Sequence, residues 1–299
     1  MFEKITIVSC GNTKYFQLLK ELAHSVRDKP EGKDINIVFL DGGLSKEDID
    51  YFKNLNINVI NPGWCNSLAE RRAKGRDFLK INIAKLYLDQ LISNTEIIIW
   101  VDADAWIQNF EFINLYDLVA RKKKLAIVSQ ASRLQPQHIQ YRKWFFHQLV
   151  ELRNILYKNA RRSGLKLSEI KSLQARPTLN AGSYALHIDA PHWKQFRFWQ
   201  NEILKKGRLF TSDQLAMGLT IYHDNFSYEA LPDICNYMGP WRYSNEDNVF
   251  VDYYAPYNPV SVMHLAGQDL HRSDLDHKVD ILDLDDKKIQ KSLRYKIQN

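Results

Sequence analysis

Asp102 and Asp104 are the residues of this chain best placed to do chemistry: two carboxylates one residue apart, closing the apolar run Ile97-Ile98-Ile99-Trp100-Val101. Hard dications such as Mg²⁺ and Mn²⁺ take oxygen ligands, few of them from protein, and fill their other positions with substrate phosphates. A short Asp-x-Asp supplies that partial cage. The same tripeptide also serves as an acidic turn at a strand end, so its meaning depends on its company. Three further clusters qualify. Asn180-Ala181-Gly182 reads as a small-residue turn, Ser212-Asp213-Gln214 as a helix start with a capping residue, and His264-Leu265-Ala266-Gly267 as a histidine leaving an apolar strand.

The elements that must position these groups follow from the hydrophobic pattern. Ile97 to Val101 is β-branched and aromatic and carries no charge, as a buried strand does. In an open parallel sheet, ligands gather beyond the carboxyl ends of the strands, which is where Asp102 and Asp104 fall. Upstream, strands over Ile5–Ser9, Ile35–Leu40 and Ile57–Ile60 alternate with helices over Tyr15–Ser25, Lys46–Asn54 and Arg76–Leu91. The economical fold is α/β, a mostly parallel sheet flanked by helices. Gly11, Gly42 and Gly43 follow strands, but neither G-x-G-x-x-G nor G-x-x-x-x-G-K-[ST] occurs, which excludes a dinucleotide fingerprint and a P-loop. Beyond Asp104 the pattern predicts a strand over Lys122–Ser129 and a long helix from Gln137 to Arg162. In that helix Tyr141, Trp144, Phe145, Phe146, Leu149, Leu152 and Leu156 form the core face. A turn feeding a strand over Arg176–Ile188 and a helix from Pro191 complete a second half of mixed character.

The 299 residues carry a formal net charge of +6, modest for that length, and aromatics make up 12% but are spread along the chain. Neither is the footprint of a nucleic-acid partner, and none is expected. Cys10, Cys65 and Cys235 are odd in number and far apart, which argues against a disulfide framework or a zinc knuckle and for a reducing compartment. With no basic apolar leader and no eighteen-residue apolar stretch, the expectation is a soluble, cytoplasmic protein. Near the carboxyl terminus Lys287, Lys288, Lys291, Arg294 and Lys296 alternate with Ile289, Leu293 and Ile297 at steps of four, which reads as a basic helix. Such a helix can lie on an anionic membrane face, the inner one for a cytoplasmic protein, each base contributing about 1 kcal/mol.

The order of the four clusters resembles the GT-A class of nucleotide-sugar glycosyltransferases, most closely glycosyltransferase family 8 and its relatives, from Ile5 to about Arg272. The resemblance implies a Rossmann-like GT-A sheet and a hexosyltransferase that moves a sugar, UDP-hexose being the default donor, to a glycan or lipid-linked acceptor. It implies Mn²⁺ or Mg²⁺ held by Asp102, Asp104 and His264 with Gly267 in the same motif. Asn180, Gly182, Asp213 and Gln214 would line donor sugar and acceptor, with Asn180, Asp213 and Gln214 in the catalytic roles. Ser9, Gly11, Asn12 and Tyr15 would cradle base and ribose. The family's diphosphate lysine has Leu270 in its slot here, so Arg272 is expected to substitute. The basic residue on the helix before the acidic strand is one of Arg76, Lys80 and Lys85, and Lys80 is the choice. The resemblance implies retention of stereochemistry; with inversion a carboxylate would have to deprotonate the acceptor hydroxyl, Asp213 being the first candidate. The implied organisation is one catalytic domain over 1–272, its nucleotide-binding half 1–130 and its acceptor half 131–272, followed by a charged tail over 273–299.

Two other functions compete. A sugar nucleotidyltransferase also uses acids and Mg²⁺ on an α/β sheet, but normally shows a Gly-rich basic loop that Gly11-Asn12-Thr13-Lys14 is too thin to be. A non-catalytic carbohydrate-binding module would cluster its aromatics, which this chain does not.

Overall fold

The computed structural model describes residues 4–134, 141–143, 149–152 and 155–297. Its strands β1 (Ile5–Gly11), β2 (Asn36–Asp41), β3 (Asn58–Ile60) and β4 (Ile97–Val101) run parallel, β1 pairing with both β2 and β4. After β4 the chain makes β5 (Ala105–Ile107), β6 (Leu125–Ser129), β7 (Tyr141–Lys143), β8 (Leu149–Leu152), β9 (Leu179–His187) and β10 (Tyr228–Leu231). Of these, β6, β9 and β10 complete a seven-stranded sheet in the order β10-β6-β9-β4-β1-β2-β3, in which β9 alone runs antiparallel to its neighbours, while β7 pairs with β8. The fold is therefore the expected mostly parallel α/β sheet. The remaining strands are β11 (Arg242–Ser244), β12 (Val249–Val251), β13 (Val262–His264), β14 (Lys278–Asp283) and β15 (Lys288–Ser292).

Helices cover both faces. On one side lie α1 (Phe16–Arg27), α2 (Lys46–Asn54) and, after the smaller α3 (Ser67–Ala73), α4 (Leu79–Ala84) and α5 (Leu88–Leu91), α6 (Glu111–Ala120). The second half adds α7 (Ile155–Arg162), α8 (Leu167–Ser172), α9 (His192–Leu204), α10 (Ser212–Tyr222) and α11 (Asp269–Ser273). All five residues of β4 are buried, and period-two alternation splits them between two cores. Ile98 and Trp100 pack with Trp193, Phe196 and Leu215 of α9 and α10, while Ile97, Ile99 and Val101 pack with α1 and α6. Each such side chain contributes about 1.5–3 kcal/mol on burial, so the strand that ends on Asp102 is firmly anchored.

Four expectations change. The helix foreseen over Arg76–Leu91 is two, α4 and α5, broken at Lys85. In place of one helix over Gln137–Arg162 there are the strand pair β7 and β8 and then α7; Trp144, Phe145 and Phe146 lie outside the described residues, and Leu156 is buried. Asn180 and Gly182 sit within β9 rather than in a turn before it. The basic segment at the end of the chain is strand β15, not a helix. It pairs antiparallel with β14 in the four-stranded sheet β12-β11-β14-β15, and Ile281 and Leu293 are buried. Arg294, 5% exposed, clasps Glu21 of α1 through two hydrogen bonds of 2.7 and 2.5 Å and ties the hairpin to the body of the protein. Among the described residues no helix is long and apolar enough to cross a membrane, and the three cysteines are free.

Candidate active site

The end of β4 is pinned by a distortion in its neighbour. β6 pairs Val128 with Asn180 but Ile127 with Tyr184, so Ala181, Gly182 and Ser183 bulge from that ladder. Bulges of this kind re-aim side chains beside active sites. Here the freed Gly182 carbonyl accepts from Asp102 N at 2.8 Å, and the Asn180 side chain closes over the bulge by accepting from Gly182 N at 3.0 Å. Opposite, β13 pairs antiparallel with β5 and sets His264 against Ala105. A Cβ on Gly182 would run into His264 Cε1, so the imidazole reaches the acids only because residue 182 has no side chain.

Each acid then divides its two oxygens. Asp102 Oδ1 accepts from Lys85 Nζ at 3.0 Å and from Trp100 Nε1 at 2.6 Å, and Asp104 Oδ2 accepts from Arg272 Nη1 at 3.2 Å. The other oxygens face His264 Nε2, Asp104 Oδ1 at 3.3 Å and Asp102 Oδ2 at 4.0 Å. His264 Nδ1 donates to Asn236 Oδ1 at 2.7 Å, which in the neutral ring leaves the Nε2 lone pair aimed at the acids. One ligand atom from each of the three residues lies within 4.8 Å of the others. Two carboxylate oxygens and an oriented imidazole nitrogen are a donor set that could hold a divalent metal ion.

The charges at the site partly support ligation and partly compete with it, since a metal at His264 Nε2 would displace a proton. Burial alone would raise the Asp104 pKa, but His264 and then Arg272 outweigh it and bring the carboxyl down to about 2. Burial alone would likewise discharge His264, yet Asp104 and Asp102 hold its pKa above the ordinary imidazole value. Lys85, 4% exposed, is kept charged against its own burial by Asp102 and Asp213, whose Oδ2 lies 3.5 Å away. Opposite charges at hydrogen-bonding range stabilise one another's ionised forms.

These residues line a cavity of about 310 Å³ together with Cys10, Gln130, Asn180, Gly182, Phe210, Thr211, Gln214 and Gly267. The residues matched by the family model for glycosyl transferase family 8 are 6–195, which hold β1 from its second residue, β4 with its two acids, and β9. The chain belongs to glycosyl transferase family 8. It is a GT-A glycosyltransferase. Its fold is similar to that of the galactosyltransferase LgtC solved with donor and acceptor sugar analogues, at 15% identity and a TM-score of 0.52 over 88% of this chain and 87% of that one. It is also similar to mouse xyloside xylosyltransferase 1 (12%, TM-score 0.50, 88% and 97%) and to the bifunctional glycosyltransferase WbbM (14%, TM-score 0.51, 89% and 46%). No curated protein matches the chain.

In this family 8 transferase most of the residues singled out from sequence meet in the cleft: Asp102, Asp104, Asn180, Gly182, Asp213, Gln214, His264, Gly267 and Arg272. Gln214 Nε2 donates to Leu179 O at 2.9 Å, leaving its carbonyl oxygen as the polar atom for the cavity. Two of the residues singled out, Lys80 and Ser9, do not line the cavity. Lys80 bonds Asn61 Oδ1 at 3.1 Å, whereas Lys85, another of the three basic candidates, lines the cavity and donates to Asp102. Ser9 is fully buried, and its hydroxyl has no hydrogen-bond partner among the described residues. Gly11, Asn12 and Tyr15 follow Cys10 in the chain but do not line the cavity; Arg272, which does, is held charged against its partial burial by Asp269 and Asp104. Cys10 itself lines the cavity as a neutral thiol, its pKa pushed far up by burial and then by Asp102. Trp100, Asn236, Phe210 and Thr211 were not anticipated. Trp100 stood in the apolar run as core, and no spacing pointed to Asn236.

Proposed function

We propose that this transferase moves a hexose from UDP-hexose to a glycan or lipid-linked saccharide with retention of configuration, using Mn²⁺ or Mg²⁺ held by Asp102, Asp104 and His264. The observation that carries the reading is the division of labour in the two carboxylates, one oxygen of each held by a cation of the protein and the other turned toward His264 Nε2. The dication, when bound, supplies Lewis-acid stabilisation of the departing diphosphate. The protein's own part is to fix and complement charge. Lys85 and Arg272 hold the acids in the posture that ligation needs, and as cations at the cleft they add to the field that favours a diphosphate. Gly11, Asn12 and Tyr15 are assigned to the base and ribose from their place at the end of β1.

The acceptor hydroxyl oxygen forms its bond to the anomeric carbon as the bond from that carbon to the phosphate oxygen breaks, and the hydroxyl proton passes to the leaving phosphate. That route needs no general base from the protein. Asp213 fits it, since its carboxylate is engaged by Lys85 and stands as a charge beside the sugar, where positive charge develops. Gln214 and Asn180 are assigned to positioning the sugar. Asp102→Asn and Asp104→Asn should each lower Mn²⁺-dependent transfer from UDP-hexose by at least about a hundred-fold, the scale of losing a transition-state charge stabiliser, with an unaltered circular dichroism spectrum. Unchanged turnover in both variants would refute the reading.

A further inference from the structure

The basic residues are not evenly spread. Segments 70–78, 158–169 and 202–211 together hold eleven Lys and Arg against four acids, a net +7, whereas the whole chain is +6. The rest of the protein is thus within one charge of neutral, and the excess belongs to these segments alone. The fold brings them side by side. Arg72 donates to the carbonyl of Leu204 and, at 2.8 Å, to that of Gly207. The Lys206 stem occupies the space a side chain on Gly164 would need, Ser163 Oγ does the same at Gly207, and Asn159 Nδ2 donates to Thr211 Oγ1 at 3.1 Å. Lys205 is paired with Glu202, but Arg161, Arg162, Lys206 and Arg208 are exposed and meet no carboxylate of the described residues.

This basic face runs into the cleft. Phe210 and Thr211 line the cavity one step before Asp213 and Gln214, and Phe210 is 63% exposed. Thr211 has φ +69°, a left-handed conformation costly for a β-branched residue, of the kind that persists where the surroundings hold it for a purpose. An exposed aromatic ring at a cavity mouth is a surface on which the apolar face of a sugar can lie.

Resting on the transferase reading, we propose that the acceptor is an anionic saccharide, carrying phosphate or carboxylate groups, that extends from the cleft over Phe210 onto this basic face. Arginine forks match the oxygens of phosphate and carboxylate two at a time, and a row of them selects charge density rather than one sugar. A bilayer is the less fitting occupant, because Phe210 is committed to the cavity lining.

The test uses the full chain, a phosphorylated oligomannose and its phosphatase-treated neutral form as probes. The wild type should bind the phosphorylated form at least ten-fold more tightly, with an advantage that shrinks as salt rises. The pairs Arg161→Glu with Arg162→Glu, and Lys206→Glu with Arg208→Glu, should abolish that advantage, while Arg161→Lys with Arg162→Lys should keep most of it, thermal melting checking each fold. Equal affinity for the two probes, or undiminished preference in both Glu pairs, overturns the proposal. Capture by phosphatidylglycerol vesicles without binding of the phosphorylated oligomannose also overturns it and gives the face to a membrane. Mn²⁺-dependent binding of UDP by the wild type is read in parallel: its failure counts against the transferase reading, whereas the preference between the two probes judges the anionic site by itself.

Discussion

At the scale of single residues the site depends on what is missing as much as on what is present. Gly182→Ala places a methyl group against His264 Cε1, and the buried imidazole, flanked by β5 and held by Asn236, has nowhere to move without losing its aim at the acids. The expected result is a Mn²⁺ affinity at least about ten-fold weaker, as for loss of a group that orients a metal ligand, read by titrating free Mn²⁺ with the protein. Lys85 gives a complementary test. Lys85→Met leaves Asp102 and Asp213 facing each other without their shared cation, at a cost of about 3–5 kcal/mol in a denaturant titration, and it should abolish transfer. Lys80→Met removes only a contact to Asn61 and should change neither stability nor turnover beyond about two-fold. The chain's pattern named the helix and offered Lys80 and Lys85 together, but could not separate them. The choice turns on the helix ending at Ala84, where Tyr184 OH donates to Lys85 O at 2.8 Å and fixes the backbone that aims the ammonium, a contact between residues ninety-nine apart.

At the scale of elements the closing hairpin shows why its sequence pattern suits a helix as well as a strand, and what it holds in place. Ile289, Leu293 and Ile297 stand four apart, which puts them on one face of a helix and equally on one side of a strand, since four is near one helical turn and is also twice the strand period. Tertiary pairing with β14 decided the matter, and the turn that permits it passes through Asp286 at φ +62°, which nothing in the local sequence announced beyond two acids in a row. The strand that delivers the acids was legible for the opposite reason: a five-residue uncharged β-branched and aromatic run reads as a buried strand, and only the meaning of the acids after it needed the other clusters. Arg294 links the hairpin to function. It clasps Glu21 and also donates to the carbonyls of His271, at 2.9 Å, and Arg272, at 3.1 Å, so it holds α11 where Arg272 meets Asp104. Glu21→Gln and Arg294→Met should each cost about 3–5 kcal/mol in denaturant unfolding, because each strands a charge that is 2% exposed in its side chain. The double variant Glu21→Leu with Arg294→Met should recover much of that loss, as replacement of a whole buried pair does. Singles that unfold like the wild type would show the clasp to be idle.

At the scale of the molecule, the cleft is where distant parts of the chain meet: Cys10 from β1, Asp102 and Asp104 after β4, Asn180 from β9, Asp213 from α10, His264 from β13 and Arg272 from α11. An unfolded chain offers no such constellation, so a donor bound here binds the native state alone and raises its stability by mass action. At a concentration one hundred times Kd the gain is about 2.7 kcal/mol, which for a protein of this size raises Tm by roughly 5 °C. If the diphosphate is gripped through a dication, the shift by UDP-hexose should appear with Mn²⁺ and vanish when a chelator removes it, and Asp104→Asn should lose the shift while keeping a cooperative melt. The ion alone should shift Tm less than ion and nucleotide sugar together, because on the proposed reading the ion engages only Asp102, Asp104 and His264 whereas the nucleotide sugar also meets Lys85 and Arg272. A UDP-hexose shift of equal size with and without Mn²⁺ would mean that Lys85 and Arg272 hold the phosphates unaided, and the metal assignment would fall while the donor site stood.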